Sequence, residues 1–168
     1  MDVIGILSDT HDCSDNIETA LVTFRDYGVE RIIHCGDVQN WRSIELFRGF
    51  QLDVVRGNRD DGNEQRLQEA LESIGGRFYG LSGEIEFGGL RIFFSHGDHK
   101  AVIDDALESQ RYDVVCQGHR HTRWARHEGK TLFLNPGAVQ NGEFCILTTD
   151  LEPIFFCGTG IIEEACSN

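Results

Sequence analysis

The sequence predicts an α/β fold in which two packed β-sheets carry helices on their outer sides. Three observations carry that expectation. Short continuous apolar runs end in polar tips, helix-period stretches separate these runs in the first half, and the C-terminal half is rich in strand pattern and turn signals.

The elements follow in chain order. "VIGILSD" (3–9) is an apolar run of the kind buried on both faces of a parallel sheet. "SDNIETALVTFRDYG" then opens on a potential Ser14 cap, aligns Ile17, Leu21 and Phe24 on one stripe, and stops at Gly28. "RIIHCGD" repeats the strand with its polar tip, "WRSIELFRGF" supplies a short second helix, and "LDVVRGN" a third strand. The order βαβαβ implies parallel strands joined by right-handed crossovers. "NEQRLQEALESIGG" reads as another helix. In "GEIEFGGLRIFFSHGD" the Gly88-Gly89 pair between strand-like runs reads as a hairpin. A helix around Val102 to Ser109 and the strand "YDVVCQG" come next. The remaining β-rich stretches are broken at Glu128-Gly129, Asn135-Pro136-Gly137 and Asn141-Gly142.

A length of 168 residues, with 40% apolar and 26% charged side chains, suits one soluble domain over residues 1–168. No linker, low-complexity tract or fixed-period repeat divides the chain. The formal net charge of −13 repels polyanions, so a phosphate-bearing partner needs a local positive feature. With no basic cluster or aromatic-interleaved stripe to form a channel, long nucleic acid is not expected as a partner. Six scattered cysteines without a CxxC pair, and a start lacking a basic leader, point to a reducing cytoplasm. No apolar stretch approaches the roughly 20 residues of a membrane span. Phe144, Phe155 and Phe156 read as buried strand residues, the alternative being a self-association patch and hence a homo-oligomer.

The polar tips carry the chemistry: Asp9 and His11 in "SDTHD", Asp37 in "CGDV", Asn58 in "RGNRD", His96 in "SHGD", and His119 and His121 in "GHRH". The carboxyl ends of strands in an open α/β sheet face one crevice, so these side chains are expected on one rim. Asp9/His11 and His119/His121 are i, i+2 pairs, which extended backbone would point to the same side. Seven donors exceed one tetrahedral ion but suit two divalent ions sharing a carboxylate. Imidazole, carboxylate and amide oxygen without thiolate favour Mn(II), with Fe, Zn or Ni as alternatives. His34, His99 and His127 are read as ordinary polar residues.

Asp-x-His, Gly-Asp, Gly-Asn-x-Asp, His-Gly and Gly-His-x-His, in that order after short strands, resemble the calcineurin-like metallophosphoesterase superfamily, in particular its small single-domain bacterial and archaeal phosphodiesterase branch. The resemblance runs from Asp9 to about Gly137 and implies a four-layer αββα sandwich of two mixed sheets flanked by helices. It implies that Asp9, His11 and His121 hold one ion, that Asn58, His96 and His119 hold the other, and that Asp37 bridges them. Two positions depart from the pattern. Arg59 stands where many relatives place a histidine after the asparagine, and Ala138 stands where they often have serine. Arginine stays charged, so it can stabilise phosphoryl oxygens but cannot act as an acid.

The implied activity is metal-dependent hydrolysis of a small phosphodiester by in-line attack of an ion-bridging hydroxide. Asp37, Asn58, Arg59 and His119 are the residues expected at the reaction, and two cations would offset the acidic charge locally. The alternatives are a phosphomonoesterase for a small metabolite and a non-catalytic interaction scaffold of the same fold.

Overall fold

A computed structural model describes residues 2–162. The first half runs β1 (Val3–Leu7), α1 (Ser14–Asp26), β2 (Arg31–His34), a 3-10 helix (Trp41–Phe47), β3 (Gln51–Val54), α2 (Glu64–Ile74) and β4 (Arg77–Phe78). The β5/β6 hairpin (Ser82–Phe87 and Leu90–Ser95), α3 (Lys100–Glu108) and β7 (Val114–Gln117) follow. Five further strands complete the described chain: β8 (Trp124–Glu128), β9 (Thr131–Asn135), β10 (Glu143–Thr148), β11 (Pro153–Cys157) and β12 (Gly160–Ile162).

Two mixed sheets result. One has the order β12-β11-β10-β1-β2-β3-β4 and the other β5-β6-β7-β9-β8. β1, β2 and β3 are parallel, as are β6, β7 and β9, while β10 returns antiparallel to β1.

Side-chain alternation assigns the layers. On β1, Ile4 and Ile6 join Ile33, Ile92, Phe94, Val114 and Leu134 between the sheets, whereas Leu7 faces α1 and α2 with Ile17, Phe24 and Leu71. Gly5 shares the Leu7 face because the Phe24 ring lies across it; a Cβ there would come within 2.8 Å of that ring. On the far side Val115 and Phe133 pack against Ile103 and Ala106 of α3. The four layers are therefore helix, sheet, sheet, helix, as the resemblance implies.

Some local expectations need correction. Ser14 is the first residue of α1 rather than its cap: Cys13 occupies the cap position without a side-chain bond. The "WRSIELF" segment is a 3-10 helix, started by the Asn40 side chain, which accepts the Arg42 N–H at 3.0 Å. Phe144, Phe155 and Phe156 are buried within the chain, Phe144 stacking on Phe156 at 5.1 Å, which removes the proposed self-association patch. Cys35, Cys116 and Cys145 are buried free thiols whose pKa values burial pushes up, and Cys166 lies outside the described residues. No helix among the described residues is long and apolar enough to cross a membrane.

His34 is fully buried at the end of β2. Its Nδ1 accepts the Gly36 N–H at 3.1 Å and its Nε2 lies 3.1 Å from Thr10 Oγ1, so the ring is neutral with the proton on Nε2. Burial, reinforced by His96 and His11, lowers its pKa from 6.5 to about 3. A histidine depressed in the folded state supports folding above its unfolded pKa and loses that support as pH falls. Stability is therefore expected to decline from pH 6.5 toward about 3, with this group alone costing about 2 kcal/mol by about pH 5. Thermal melts across that window check it: His34→Gln, which can keep both hydrogen bonds, should flatten the slope.

Candidate metal centre

All five polar tips lie in loops that leave the carboxyl ends of parallel strands. β1, β2 and β3 of one sheet deliver Asp9 with His11, Asp37, and Asn58, whereas β6 and β7 of the other deliver His96 and the His119/His121 pair. The loops are tied to each other through the backbone: Asp9 N–H donates to Gly36 O at 3.0 Å, His11 N–H to Asp37 O at 3.2 Å, and Gly118 N–H to His96 O at 3.0 Å.

The expected side chains come together. Asp9 Oδ1 lies 3.0 Å from His121 Nε2 and 3.7 Å from His11 Nε2. His96 Nε2 lies 3.2 Å from Asn58 Oδ1 and 3.2 Å from His119 Nδ1. Asp37 stands between these groups, with Oδ2 3.5 Å from His11 Nε2 and Oδ1 3.4 Å from His96 Nε2. Asp9 also belongs to both clusters of potential ligand atoms, Asp9–His11–His121 and Asp9–Asp37–His96. Its Oδ2 is held by Ser8 Oγ–H at 2.5 Å and His119 N–H at 3.0 Å, whereas Asp37 turns Oδ2 toward His11 and Oδ1 toward His96.

The backbone reaches this arrangement by a different route from the one the spacing suggests. Asp9, His11, Asp37, His119 and His121 all have positive φ, between 41° and 67°. The i, i+2 pairs converge through left-handed turns rather than extended strand, because the chain must bend sharply off each strand end to bring the side chains back over the rim.

Residues 1–152 match the model of the calcineurin-like phosphoesterase superfamily domain. The chain belongs to that superfamily. A phosphodiesterase of Methanocaldococcus jannaschii is 37% identical over 137 residues, covering 80% of this chain and 82% of the relative. A solved archaeal phosphodiesterase is 32% identical and superposes with a TM-score of 0.85 over 95% of this chain and 99% of its own. A phosphoesterase from E. coli shares the fold at 19% identity, with a TM-score of 0.69 and 98% and 100% coverage.

Calcineurin-like phosphoesterase membership implies divalent metal ions, and the donors here fit them. His11 Nε2 is buried without a hydrogen-bond partner although it faces two carboxylates. Asp9 and Asp37 are almost wholly buried, and a carboxylate in that position is accommodated by a nearby positive charge. Two glycines make room for them. A Cβ on Gly57 would fall 2.1 Å from Asp37 Oδ1, and one on Gly118 would fall 2.7 Å from Asp9 Oδ2.

Around the donors sits a set of orienting residues that the motif reading missed. His11 Nδ1–H donates to Gln39 Oε1 at 3.0 Å and His96 Nδ1–H to Cys35 O at 2.8 Å, which turns each Nε2 lone pair toward the centre. Gln140 Nε2–H donates to His121 Nδ1 at 2.9 Å, and His121 Nε2 lies 3.0 Å from Asp9 Oδ1, so the ring is held from both sides. Asp60, fully buried, accepts the N–H groups of Asp37 at 2.9 Å, Gln39 at 2.7 Å and Gly57 at 2.8 Å, clamping together the loops after β2 and β3. Burial pushes its carboxyl pKa up against the pull of such N–H groups. The Asn135 amide donates to Gly118 O at 2.8 Å and steadies the histidine-pair loop. Asp60 lies inside the Gly-Asn-x-Asp motif and Asn135 inside the turn signal; nothing in the sequence marks Gln39 or Gln140.

Arg59 is exposed at the rim, and its backbone N–H donates to Asp37 Oδ1 at 2.9 Å. Ala138 is buried in the turn after β9. His34, His99 and His127 stay outside the cluster: His34 is buried behind it, His99 precedes α3, and His127 lies exposed on β8.

Proposed function

We propose that the chain is a metal-dependent phosphodiesterase acting on small phosphodiesters in the cytoplasm. The observation that supports this reading most is the carboxylate of Asp37, one oxygen facing His11 and the other His96 across a rim that gathers seven donors. Asp9, His11 and His121 would hold one ion, Asn58, His96 and His119 the other, and Asp37 both. Mn(II) is the metal we favour over Fe, Zn or Ni, because the donors are oxygen and imidazole nitrogen without thiolate. Bound divalent ions would supply Lewis acidity to the phosphoryl oxygens and lower the pKa of water, so that a hydroxide nucleophile is available near neutral pH.

The protein's own groups do the rest. Gln39, Cys35 O and Gln140 fix the imidazole orientations before substrate arrives, which spares reorganisation during the reaction. Arg59, charged and at the rim, attracts the phosphoryl oxygens but has no proton to give. The departing oxygen must take its proton from water. Donors from both sheets share the site, so the chain works as one domain. A non-catalytic scaffold would not need this complete donor set with His11 and His96 each oriented through Nδ1.

The test is hydrolysis of bis(p-nitrophenyl) phosphate against p-nitrophenyl phosphate in the presence of Mn(II), with metal content measured alongside. The diester should be preferred. Across a series of diesters the rate should fall steeply as the leaving alcohol becomes more basic; a flat dependence would refute the missing-acid reading. Arg59→Ala should cost about 10-fold or more in kcat/KM without changing metal content.

A further inference from the structure

A cleft of about 670 Å³ runs between α3 and β8 on the outer side of the second sheet, within the range of about 300–1,000 Å³ usual for small-molecule sites. Its floor is aromatic. Trp124 and Phe133 meet edge to face, with centroids 4.6 Å apart at 83°, and Ile103 and Leu107 of α3 line the same hollow. The Arg126 guanidinium stands 4.9 Å from the Trp124 ring and 5.4 Å from the Phe133 ring, offering a plane against which a flat group can stack.

One end of the cleft is formed by chain neighbours of the candidate metal donors. Gly97, directly after His96, and Arg120, between His119 and His121, both line it. At Gly97 a side chain would press on Gln117, its Cβ 3.1 Å from Oε1, and narrow that end.

The charges vary along the walls. Lys100 pairs with Asp104 and Arg126 with Glu128, whereas Arg120 forms no ion pair among the described residues. The unneutralised cation is thus beside the metal-facing histidines, and Glu108 adds a negative charge two turns along α3 from Lys100. A second phosphate in the body of the cleft would meet carboxylates without spare cations.

We propose that this cleft receives the ester arm of the substrate that is not released, and that the arm is an uncharged heteroaromatic group of nucleoside size. The proposal rests on the phosphodiesterase reading and deepens it. Arg120 sits where the phosphoryl group joins that arm, while the aromatic floor and Arg126 accept the ring.

Two diesters with the same p-nitrophenolate leaving group separate binding from leaving-group chemistry: thymidine 5′-(p-nitrophenyl phosphate) and methyl p-nitrophenyl phosphate. The thymidine ester should show a KM lower by about tenfold, the lower range expected from base–aromatic stacking. Asp104→Trp, which fills the cleft from the α3 surface, should abolish that preference while leaving the methyl ester unchanged. Glu108→Trp serves as the second variant, each checked for native circular dichroism. Calorimetry with thymidine 5′-monophosphate and methyl phosphate reads the same preference without turnover. Equal affinity for both phosphates in the wild type, or a preference surviving both tryptophan variants, would overturn the proposal. A calorimetric preference with no hydrolysis of either ester would uphold the cleft and sink the phosphodiesterase reading; hydrolysis of both with equal KM and equal binding would do the reverse.

Discussion

Asp37→Asn is expected to lower diester hydrolysis by about 10³-fold and to strip at least one ion per chain, with the fold intact. The substitution keeps the shape of the side chain and the space above Gly57. It removes the negative charge and turns one of the two oxygens, each now facing a different histidine at 3.5 or 3.4 Å, into an NH2 that cannot ligate. The Arg59 N–H bond at 2.9 Å can persist through the retained oxygen, so the loop should hold its position. Metal analysis and steady-state kinetics on the same preparation decide the matter. Full activity with both ions present would show that Asp37 is not the shared ligand.

The second large effect comes from a residue with no chemistry of its own. Gly118→Ala would place a Cβ 1.8 Å from Ser8 Oγ and 2.7 Å from Asp9 Oδ2. Gly118 is not among the positive-φ glycines, so the conflict is one of space and not of backbone conformation. Ser8 and Asp9 must move, and with them the carboxylate that His119 N–H and Ser8 Oγ–H hold in place. Metal affinity should fall by about 10–100-fold, the range seen when a ligand's orienting partners are lost. Raising the metal concentration should recover part of the activity. Adding Ser8→Ala removes the nearest clashing atom, so the double variant should bind metal better than Gly118→Ala alone; if it does not, the collision is not the cause.

Much of the fold is legible in the sequence because its strands are buried on both faces and read as unbroken apolar runs, each ending at a polar tip. The Gly88-Gly89 hairpin and the Asn-Gly turn at 141–142 are local signals, and they lie where the chain turns. What escapes is non-local. No pattern in "EFCILT" says that β10 crosses back to pair with β1, since that choice is made by the complementarity of two inner faces. The two-residue β4 is too short to carry a period. The 3-10 form of 41–47 depends on the Asn40 cap and on packing against α2 more than on propensity.

For the site, residue types and order suffice to gather Asp9, His11, Asp37, Asn58, His96, His119 and His121, whereas their means of convergence is invisible in spacing alone. Gln39 and Gln140 are 28 and 19 residues from the histidines they orient, and glutamines in loops have no distinctive signature. Asp60 sits beside one other acid, Asp61, in "NRDDG", and only the folded chain distinguishes them: Asp60 turns inward to collect three N–H groups.

The left-handed backbone at Asp9 and Asp37 restricts which amino acids natural variation can try there. Among residues other than glycine, Asp and Asn tolerate that conformation best. Glutamate would preserve charge at the expense of geometry, and bulkier replacements would meet Ser8 or Gly57. The neighbour that sterics admits most readily is therefore Asn, which abolishes the anion. A lineage could thus abandon cation binding through a single codon change while preserving the framework, leaving a catalytically silent protein free to be recruited for recognition.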